Sequence, residues 1–258
     1  MIKVTILGSG GSSGVPAISS GWGDCDPENP RNRRLRPSIL IQQGETIVLV
    51  DTSPDLRQQL LGADVRTLSA VIFTHEHADH MHGIDDLREV NRAMVAPLSI
   101  WAFPETIEGI RDRFGYVFEP LAPQAHNNYY KPVLIPHVAE PNFTIGEMAV
   151  HCFEQDHGYG RTMGLRVGSF AYSTDVVNLP ESAFDILEGV DTWVVGCLGA
   201  HPHPTHAHVD RAIEWMGRVK PRRGVITHMS PKLDYEALRR SLPPGIEPAY
   251  DGLILDCP

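Results

Sequence analysis

The stretch that decides the fold is residues 70–80, Ala-Val-Ile-Phe-Thr-His-Glu-His-Ala-Asp-His. Its apolar first half predicts a buried strand over residues 71–74. Four side chains of the kind that bind metals follow within six residues: His75, His77, Asp79 and His80. A strand that leads into a loop can direct several side chains at one point, and imidazole and carboxylate groups suit zinc, manganese or iron. A hydrophilic turn rich in His by chance is the alternative, but this density favours a metal site.

The composition is that of a globular domain with a full hydrophobic core. The chain has 258 residues, of which 42% are hydrophobic, and a net charge of -10. We expect residues 1–258 to form one domain, because no linker interrupts them. The acidic charge argues against a broad nucleic-acid surface. The first residues read as a strand and not as a signal peptide, no apolar run could span a membrane, and the four scattered cysteines suggest reduced thiols. The expected location is the cytoplasm.

Short apolar runs alternate with turn signals and predict an α+β fold. Strands are predicted at residues 4–7, 38–42, 47–50, 71–74, 98–101, 149–153, 165–167, 171–173, 193–196, 224–227 and 253–255. Helices are predicted at residues 54–61, 85–91, 105–114, 210–219 and 235–241. Pro54 would open the first helix, with Ser53 as its N-cap. Residues 19–37 and 115–145 look irregular, and the second stretch suggests an insertion or a long loop.

The motif formed by His75, His77, Asp79 and His80 resembles the H-x-H-x-D-H signature of the metallo-β-lactamase superfamily. This resemblance covers nearly the whole chain. It implies a four-layer αβ/βα sandwich with two divalent metal ions at one edge of the sheets. It also implies a hydrolase, because two cations about 3.5–4 Å apart can share a hydroxide and polarise a phosphoryl oxygen.

The same resemblance implies the remaining ligands. His157 follows a predicted strand in mid-chain, with His151 as a competitor inside that strand. Asp175 ends a Ser-Thr-Asp segment, and His228 lies in a Thr-His-x-Ser segment. The implied arrangement gives the first metal His75, His77 and His157, and the second metal Asp79, His80 and His228, with Asp175 bridging the two.

Asp51, at the end of a predicted strand, resembles an aspartate that supports the ligands from behind in this superfamily, although a turn-capping role is equally compatible with its position. The metals are expected to be Zn²⁺ or Mn²⁺. Mixed nitrogen and oxygen ligands also accept Fe²⁺.

Three weaker features point to a phosphate substrate. The glycine-rich segment 5–16 is similar to the beginning of the superfamily's phosphodiesterase branch, especially the phosphoribosyl cyclic phosphodiesterases of phosphonate breakdown. The arginine-rich run 31–36 resembles one in the same branch, and Arg34, Arg36 and Ser38 are the predicted substrate contacts, because guanidinium groups can grip phosphate. A solvated loop or salt bridges would also explain that run.

A histidine lies near the start of a late helix in that branch. His206 matches its position, 22 residues before His228, and would protonate the leaving group or steady the phosphoryl oxygens. His208 is an alternative. The phosphonate enzymes also carry a cysteine-rich structural zinc site, of which only Cys25 remains here, so we expect no structural zinc.

The sequence therefore predicts a binuclear metal-dependent phosphodiesterase, with His206 and Asp79 in catalysis. Its substrate would be a small cyclic or nucleotide-like phosphodiester, such as phosphoribosyl 1,2-cyclic phosphate. Alternatives are a thioester or lactam hydrolase of the same fold, a tRNA 3′-processing endonuclease and a non-catalytic metal-binding protein. A homodimer is a possible assembly.

Overall fold

Fourteen strands form two β-sheets in the computed structural model, which describes residues 1–126 and 128–258. In chain order the strands are β1 (Ile2–Gly8), β2 (Ser38–Gln43), β3 (Thr46–Val50), β4 (Ala70–Ile72), β5 (Leu98–Ala102), β6 (Leu134–Val138), β7 (Asn142–Ile145), β8 (Met148–Asp156), β9 (Arg161–Val167), β10 (Phe170–Ser173), β11 (Thr192–Gly196), β12 (Arg223–Thr227), β13 (Ile246–Pro248) and β14 (Ile254–Cys257). The helices are α1 (Leu56–Gly62), α2 (Ala78–Met81), α3 (Leu87–Met94), α4 (Pro104–Phe114), α5 (Glu181–Leu187), α6 (Val209–Val219) and α7 (Tyr235–Ser241).

The two sheets have the same internal plan. The first has the order β14-β1-β2-β3-β4-β5-β6, and the second has the order β13-β12-β11-β10-β9-β8-β7. In the first sheet the pairs from β14 to β3 are antiparallel and those from β3 to β6 are parallel. In the second sheet the pairs from β7 to β10 are antiparallel and those from β10 to β13 are parallel. The halves of the chain are thus similar in topology, although their sequences show no repeat.

Burial on both faces explains the continuous apolar strands of the first sheet. In β2, Ile39 and Ile41 belong to the core cluster between the sheets, whereas Leu40 points to the opposite cluster under the outer helices. Leu49 faces outward in the same way from β3, because neighbouring side chains of a strand lie on opposite faces.

Helices cover the outer face of each sheet. Side chains of α1, α3 and α4 join the outer cluster on the first sheet, among them Leu56, Leu87 and Ile107. On the other side, Leu187 of α5 and Trp215 of α6 pack against the second sheet. The result is a four-layer αβ/βα sandwich, as predicted.

Every predicted strand and helix overlaps an observed one, but the prediction for residues 115–145 is wrong. This stretch contains β6 and β7, which are the edge strands of the two sheets. Pro136 in the middle of β6 disguises that strand, because proline cannot donate to a neighbour and is tolerated only at an edge. The strand β13 and the short helices α2 and α5 were also not predicted.

The predicted start of the first helix is also wrong. Helix α1 begins at Leu56, and Asp55 is its N-cap. The Ser53 hydroxyl instead accepts a hydrogen bond from the Asp55 backbone N–H and donates one to Gln59. Within residues 1–126 and 128–258, no helix is both long enough and apolar enough to cross a membrane.

Candidate metal centre

The seven predicted ligand residues meet at one edge of the sandwich. His75 lies just beyond β4, and His157 directly follows β8. Asp175 lies just beyond β10, and His228 directly follows β12. The other three lie at or in the four-residue helix α2, which starts immediately after His77. Strands from both sheets thus deliver ligands to the same place.

The first group comprises His75, His77, His157 and Asp175, whose ligand atoms all lie within 4.8 Å of one another. His157 Nε2 is 3.3 Å from His77 Nδ1. Asp175 Oδ2 is 3.7 Å from both His75 Nε2 and His157 Nε2.

The second group comprises Asp79, His80, His228 and Asp175. Asp175 turns its other oxygen, Oδ1, to this group, 3.2 Å from His80 Nε2 and 3.1 Å from His228 Nε2. Asp79 Oδ2 lies 3.4 Å and 3.5 Å from the same two nitrogens. Neighbouring ligand atoms around a tetrahedral zinc ion with bonds of about 2.0–2.1 Å are about 3.3–3.4 Å apart. The second group has distances close to this spacing, and those of the first group are somewhat wider, with Asp175 between the two groups.

Buried nitrogen atoms without partners also fit this interpretation. His75 Nε2, His80 Nε2 and His228 Nε2 are buried and make no hydrogen bond. An unsatisfied buried polar atom costs about 1–3 kcal/mol, so three in one place need a compensating ligand. A divalent cation in each group would satisfy all three.

The opposite ring nitrogens of three ligand histidines are held by hydrogen bonds. His80 Nδ1 lies 2.7 Å from the carboxylate of Asp51, which also accepts hydrogen bonds from the backbone N–H and the hydroxyl of Thr74. His75 Nδ1 lies 3.0 Å from the Thr74 hydroxyl. His157 Nδ1 donates to the carbonyl of Thr205 at 2.7 Å. Such partners turn the other ring nitrogen toward a bound metal, and Asp51 contacts His80 in this way.

Burial and neighbouring charges shift the pKa values of the candidate ligands. Burial lowers the pKa of His157 to about 4 and the pKa of His75 well below its ordinary value, so both rings are neutral at pH 7. Burial alone would raise the pKa of Asp175, but His228 and His80 outweigh it and hold that pKa well below the usual range. Neutral imidazoles and an ionised carboxylate are the forms that bind metals. Asp175 and Asp79 in turn outweigh burial and raise the pKa of His80 and His228, so a metal ion would displace a proton from these two rings.

A cavity of about 290 Å³ opens beside the two groups. His206 lines it, with its Nε2 atom 3.2 Å from Asp175 Oδ2. His208 is not among the residues that line the cavity and lies just before α6 instead. His151, the competitor of His157, is an exposed residue within β8.

A family model described as the beta-lactamase superfamily domain matches residues 46–229, well over half of the chain. The chain belongs to the metallo-β-lactamase superfamily. Within this superfamily, the crystal structure of a new diphosphatase from the PhnP family superposes with a TM-score of 0.90 and 32% identity. That similarity covers 98% of this chain and 96% of the other.

Curated relatives of this metallo-β-lactamase-fold chain carry several different names. An octanoyltransferase from Porphyromonas gingivalis is 33% identical over 98% of this chain and 51% of its own length. A ribonuclease Z from Clostridium kluyveri is 26% identical over 68% of this chain and 50% of its own length. The chain spans about half the length of the curated relatives it matches.

The predicted substrate contacts of Arg34 and Ser38 are wrong. Arg34 is 2% exposed, and its guanidinium donates to the carbonyls of Ser230 and Leu233 and to the side chain of Asn32. Ser38 is fully buried and donates to backbone carbonyls at the end of β3. Both are structural, because they are buried and their hydroxyl or terminal guanidinium nitrogens bond to groups inside the protein.

Arg36 also lies outside the lining of the cavity. Its guanidinium forms a two-pronged salt bridge with Asp55, with contacts of 2.9 Å and 2.6 Å. The arginine run therefore stabilises the loop before β2, which agrees with the alternative that salt bridges explain this run.

The cavity rim contains residues that the sequence did not single out. Ser12, in the glycine-rich segment, lines the cavity, as do Glu105, Tyr159 and Arg161. Tyr159 is 92% exposed, and the hairpin turn that carries it begins at His157. In the sequence, this part of the rim is marked by an aromatic residue between two glycines, just after the predicted ligand His157.

Proposed function

We propose that this chain is a binuclear metal-dependent phosphodiesterase that cleaves a P–O bond in a small cyclic or nucleotide-like phosphodiester. The observation that carries this proposal is the pair of ligand groups that share Asp175 beside a cavity lined by His206. The volume, about 290 Å³, is at the lower end of small-molecule sites. The similarity to a PhnP-family diphosphatase supports phosphate chemistry and extends the candidate substrates to diphosphates.

His75, His77, His157 and Asp175 would hold one divalent ion, and Asp79, His80, His228 and Asp175 the other. When bound, two such ions supply a hydroxide at neutral pH and polarise the phosphoryl group. The donor set of imidazoles and carboxylates fits both Zn²⁺ and Mn²⁺.

His206 would act as the general acid. Its Nε2 atom faces the shared carboxylate of Asp175 from the cavity side, which places a proton donor next to the reacting group. As the P–O bond breaks, the electron pair remains on the leaving oxygen, and the Nε2 proton of His206 transfers to it. The leaving oxygen thereby becomes a neutral hydroxyl group, which stays on the ring-opened product when the substrate is cyclic.

The rim would provide the substrate contacts. Ser12 offers a hydroxyl donor, and Tyr159 offers an exposed aromatic face. Arg161 reaches the same cavity, but Glu105 and Glu154 pair with it at 2.7 Å and 2.5 Å. A substrate phosphate would have to compete with these carboxylates for Arg161, so we assign that residue a weaker role than the metal centre in holding the phosphate.

The test is hydrolysis of bis-p-nitrophenyl phosphate and of a cyclic phosphodiester by the full chain loaded with Mn²⁺ or Zn²⁺. We expect turnover of both substrates and no turnover after metal removal. His206→Ala should reduce kcat for the cyclic substrate by roughly 10²–10⁴-fold while the metal content stays constant.

His201→Ala is the matched control, because His201 is exposed in the same loop and lines no part of the cavity. It should behave like the wild type. Absence of turnover on every phosphodiester, or faster cleavage of a thioester or lactam, would refute the proposed function. Loss of metal from the His206 variant would show that His206 is a ligand and not the acid.

A further inference from the structure

Thr205 lies between two histidines of the candidate site and contacts both. Its side-chain oxygen, Oγ1, is 2.7 Å from His206 Nδ1. Its backbone carbonyl accepts a hydrogen bond from His157 Nδ1, also at 2.7 Å. One residue thus faces the distal nitrogen of the proposed acid and that of a proposed metal ligand.

The loop that carries Thr205 is held firmly against the site. Ala207 donates its backbone N–H to the carbonyl of Val176, next to Asp175, at 2.6 Å. On the other side the loop packs against Gly158, where an added Cβ atom would lie 2.5 Å from the Pro204 carbonyl and 3.1 Å from the Thr205 methyl group. Contacts on both sides fix where the Thr205 hydroxyl lies.

We infer that Thr205 is a positioning residue for His206, an inference that rests on the proposed function. In this arrangement His206 Nδ1–H donates to Thr205 Oγ1, its nearest acceptor at 2.7 Å, and the Thr205 hydroxyl donates to His203 Nδ1 at 3.2 Å. His203 Nδ1 itself lies farther from His206 Nδ1, at 3.3 Å. Each donor in this series of hydrogen bonds therefore faces an acceptor. The imidazole plane is thereby fixed, and Nε2–H is directed at Asp175 and the cavity.

This arrangement supplies what a proton donor to a leaving group needs. While Nδ1–H remains bonded to Thr205, His206 can give up its Nε2 proton as the P–O bond breaks, and the ring ends neutral with a defined tautomer. Without the hydroxyl, the ring could rotate, and Nε2 would meet the leaving oxygen less often. The value of kcat should therefore fall only for substrates whose leaving group must be protonated.

The experiment compares Thr205→Val, which removes only the hydroxyl, with Thr205→Ser, which retains it. For a phosphodiester with an alkyl leaving group, Thr205→Val should lower kcat by roughly 10–100-fold, which is part of the effect of losing the whole acid. For bis-p-nitrophenyl phosphate, whose leaving group is stable as an anion, kcat should change less than about 3-fold. KM and metal content should stay constant, and Thr205→Ser should restore the alkyl activity.

A second readout does not depend on turnover. Long-range ¹H–¹⁵N spectra of the zinc-loaded protein, with the His206 signals assigned from His206→Ala, report the protonation of Nδ1. We expect a protonated, hydrogen-bonded Nδ1 in the wild type and in Thr205→Ser, and a changed signal in Thr205→Val.

An unchanged His206 signal in Thr205→Val, or an equal loss of kcat on both substrates, would overturn the inference. A wild-type protein that cleaves neither substrate would refute the proposed function, and the spectra alone would then decide the role of Thr205.

Discussion

Three residues of the candidate site have left-handed backbone conformations that are unusual outside glycine. They are Asp51, Asp175 and His228, with φ angles of 65°, 47° and 58°. Each comes just after a strand, and the left-handed residue turns the chain sharply there. This conformation costs roughly 1–2 kcal/mol per residue for a side chain with a Cβ. The surrounding fold holds that strain where the side chains must converge.

The structural role of Arg34 also depends on its own burial and hydrogen bonds. Burial lowers the pKa of its guanidinium, and its hydrogen bonds tie the loop before β2 to the segment that follows His228. Removal of this side chain would delete these hydrogen bonds and leave a cavity in the interior, although Asn32, Ser230 and Leu233 each keep one further hydrogen bond.

We therefore expect Arg34→Ala to lower the free energy of unfolding by about 3–5 kcal/mol. KM for a small phosphodiester should not change, because Arg34 does not line the cavity. Urea unfolding and steady-state kinetics measure the two effects. Arg33→Ala is the control, since Arg33 is exposed and stacks over Trp22, and it should cost less than about 1 kcal/mol. A large increase in KM with normal stability in Arg34→Ala would contradict this role.

At the scale of elements, one half-buried carboxylate joins the ends of three strands. Asp251, in the turn before β14, accepts hydrogen bonds from the backbone and hydroxyl of Ser9, just after β1. It accepts another from the backbone N–H of Leu35, in the loop that leads to β2. This connection holds the glycine-rich segment, and with it Ser12, at the cavity. Burial outweighs these hydrogen bonds and raises the pKa of Asp251 to about 6.

The raised pKa predicts a defined dependence of stability on pH. Below pH 3.8, the ordinary pKa of Asp, the group is protonated in both the folded and the unfolded chain. Between that pH and about 6 only the folded chain keeps the proton, so stability from this group is lost as the pH rises. Relative to Asp251→Asn, the wild type should lose up to about 3 kcal/mol of unfolding free energy between pH 4 and pH 7.

Urea unfolding of the metal-free proteins at several pH values measures this difference, because the ligand residues titrate equally in both chains. A difference that stays constant from pH 4 to pH 7 would show that Asp251 has an ordinary pKa.

At the scale of the whole molecule, the candidate metal centre bridges the two sheets. His75 and the residues of α2 belong to the first half of the chain, whereas His157, Asp175 and His228 follow strands of the second sheet. Bound ions would add a link between layers that meet mainly through the apolar core and a few backbone hydrogen bonds, such as that from Met163 to Thr74. Metal binding should therefore stabilise the whole sandwich.

We expect the Tm to rise when Zn²⁺ is added to chelator-treated protein. Free metal at 1,000 times its Kd contributes about 4 kcal/mol, which corresponds to roughly 8–16 °C for a domain of this size. Differential scanning calorimetry measures the shift. Asp175→Asn should lose most of it, since both groups share that carboxylate, whereas His201→Ala should keep it. An identical Tm with and without metal would argue against a bridging centre.

The candidate ligands could be predicted because each one is tied to a local pattern. An apolar strand followed at once by His or Asp marks a strand end, as at His75 and His228. The chain order of such ends matches the superfamily motif. By contrast, β6 escaped prediction because Pro136 and exposed side chains hide a strand at the edge of a sheet.

The arginine run shows where local patterns fail. Its residues look alike in sequence, yet Arg34 is buried among carbonyls from residues 230 and 233, and Arg36 is paired with Asp55. These partners are distant in sequence, so no spacing rule could reveal them. The cavity rim could not be predicted for the same reason, because Ser12 and Tyr159 come from two separate loops and Glu105 from the first turn of α4.

The residues alone predict most strands and helices, because apolar periodicity is a local property of the chain. The superfamily and the candidate ligands follow from the resemblance of the motif at residues 75–80 and of the segments around His157, Asp175 and His228. The tertiary structure alone shows that Asp175 faces both groups, that the arginines brace loops, and that Thr205 contacts His157 and His206. These features depend on contacts between segments that only the packing of two sheets brings together.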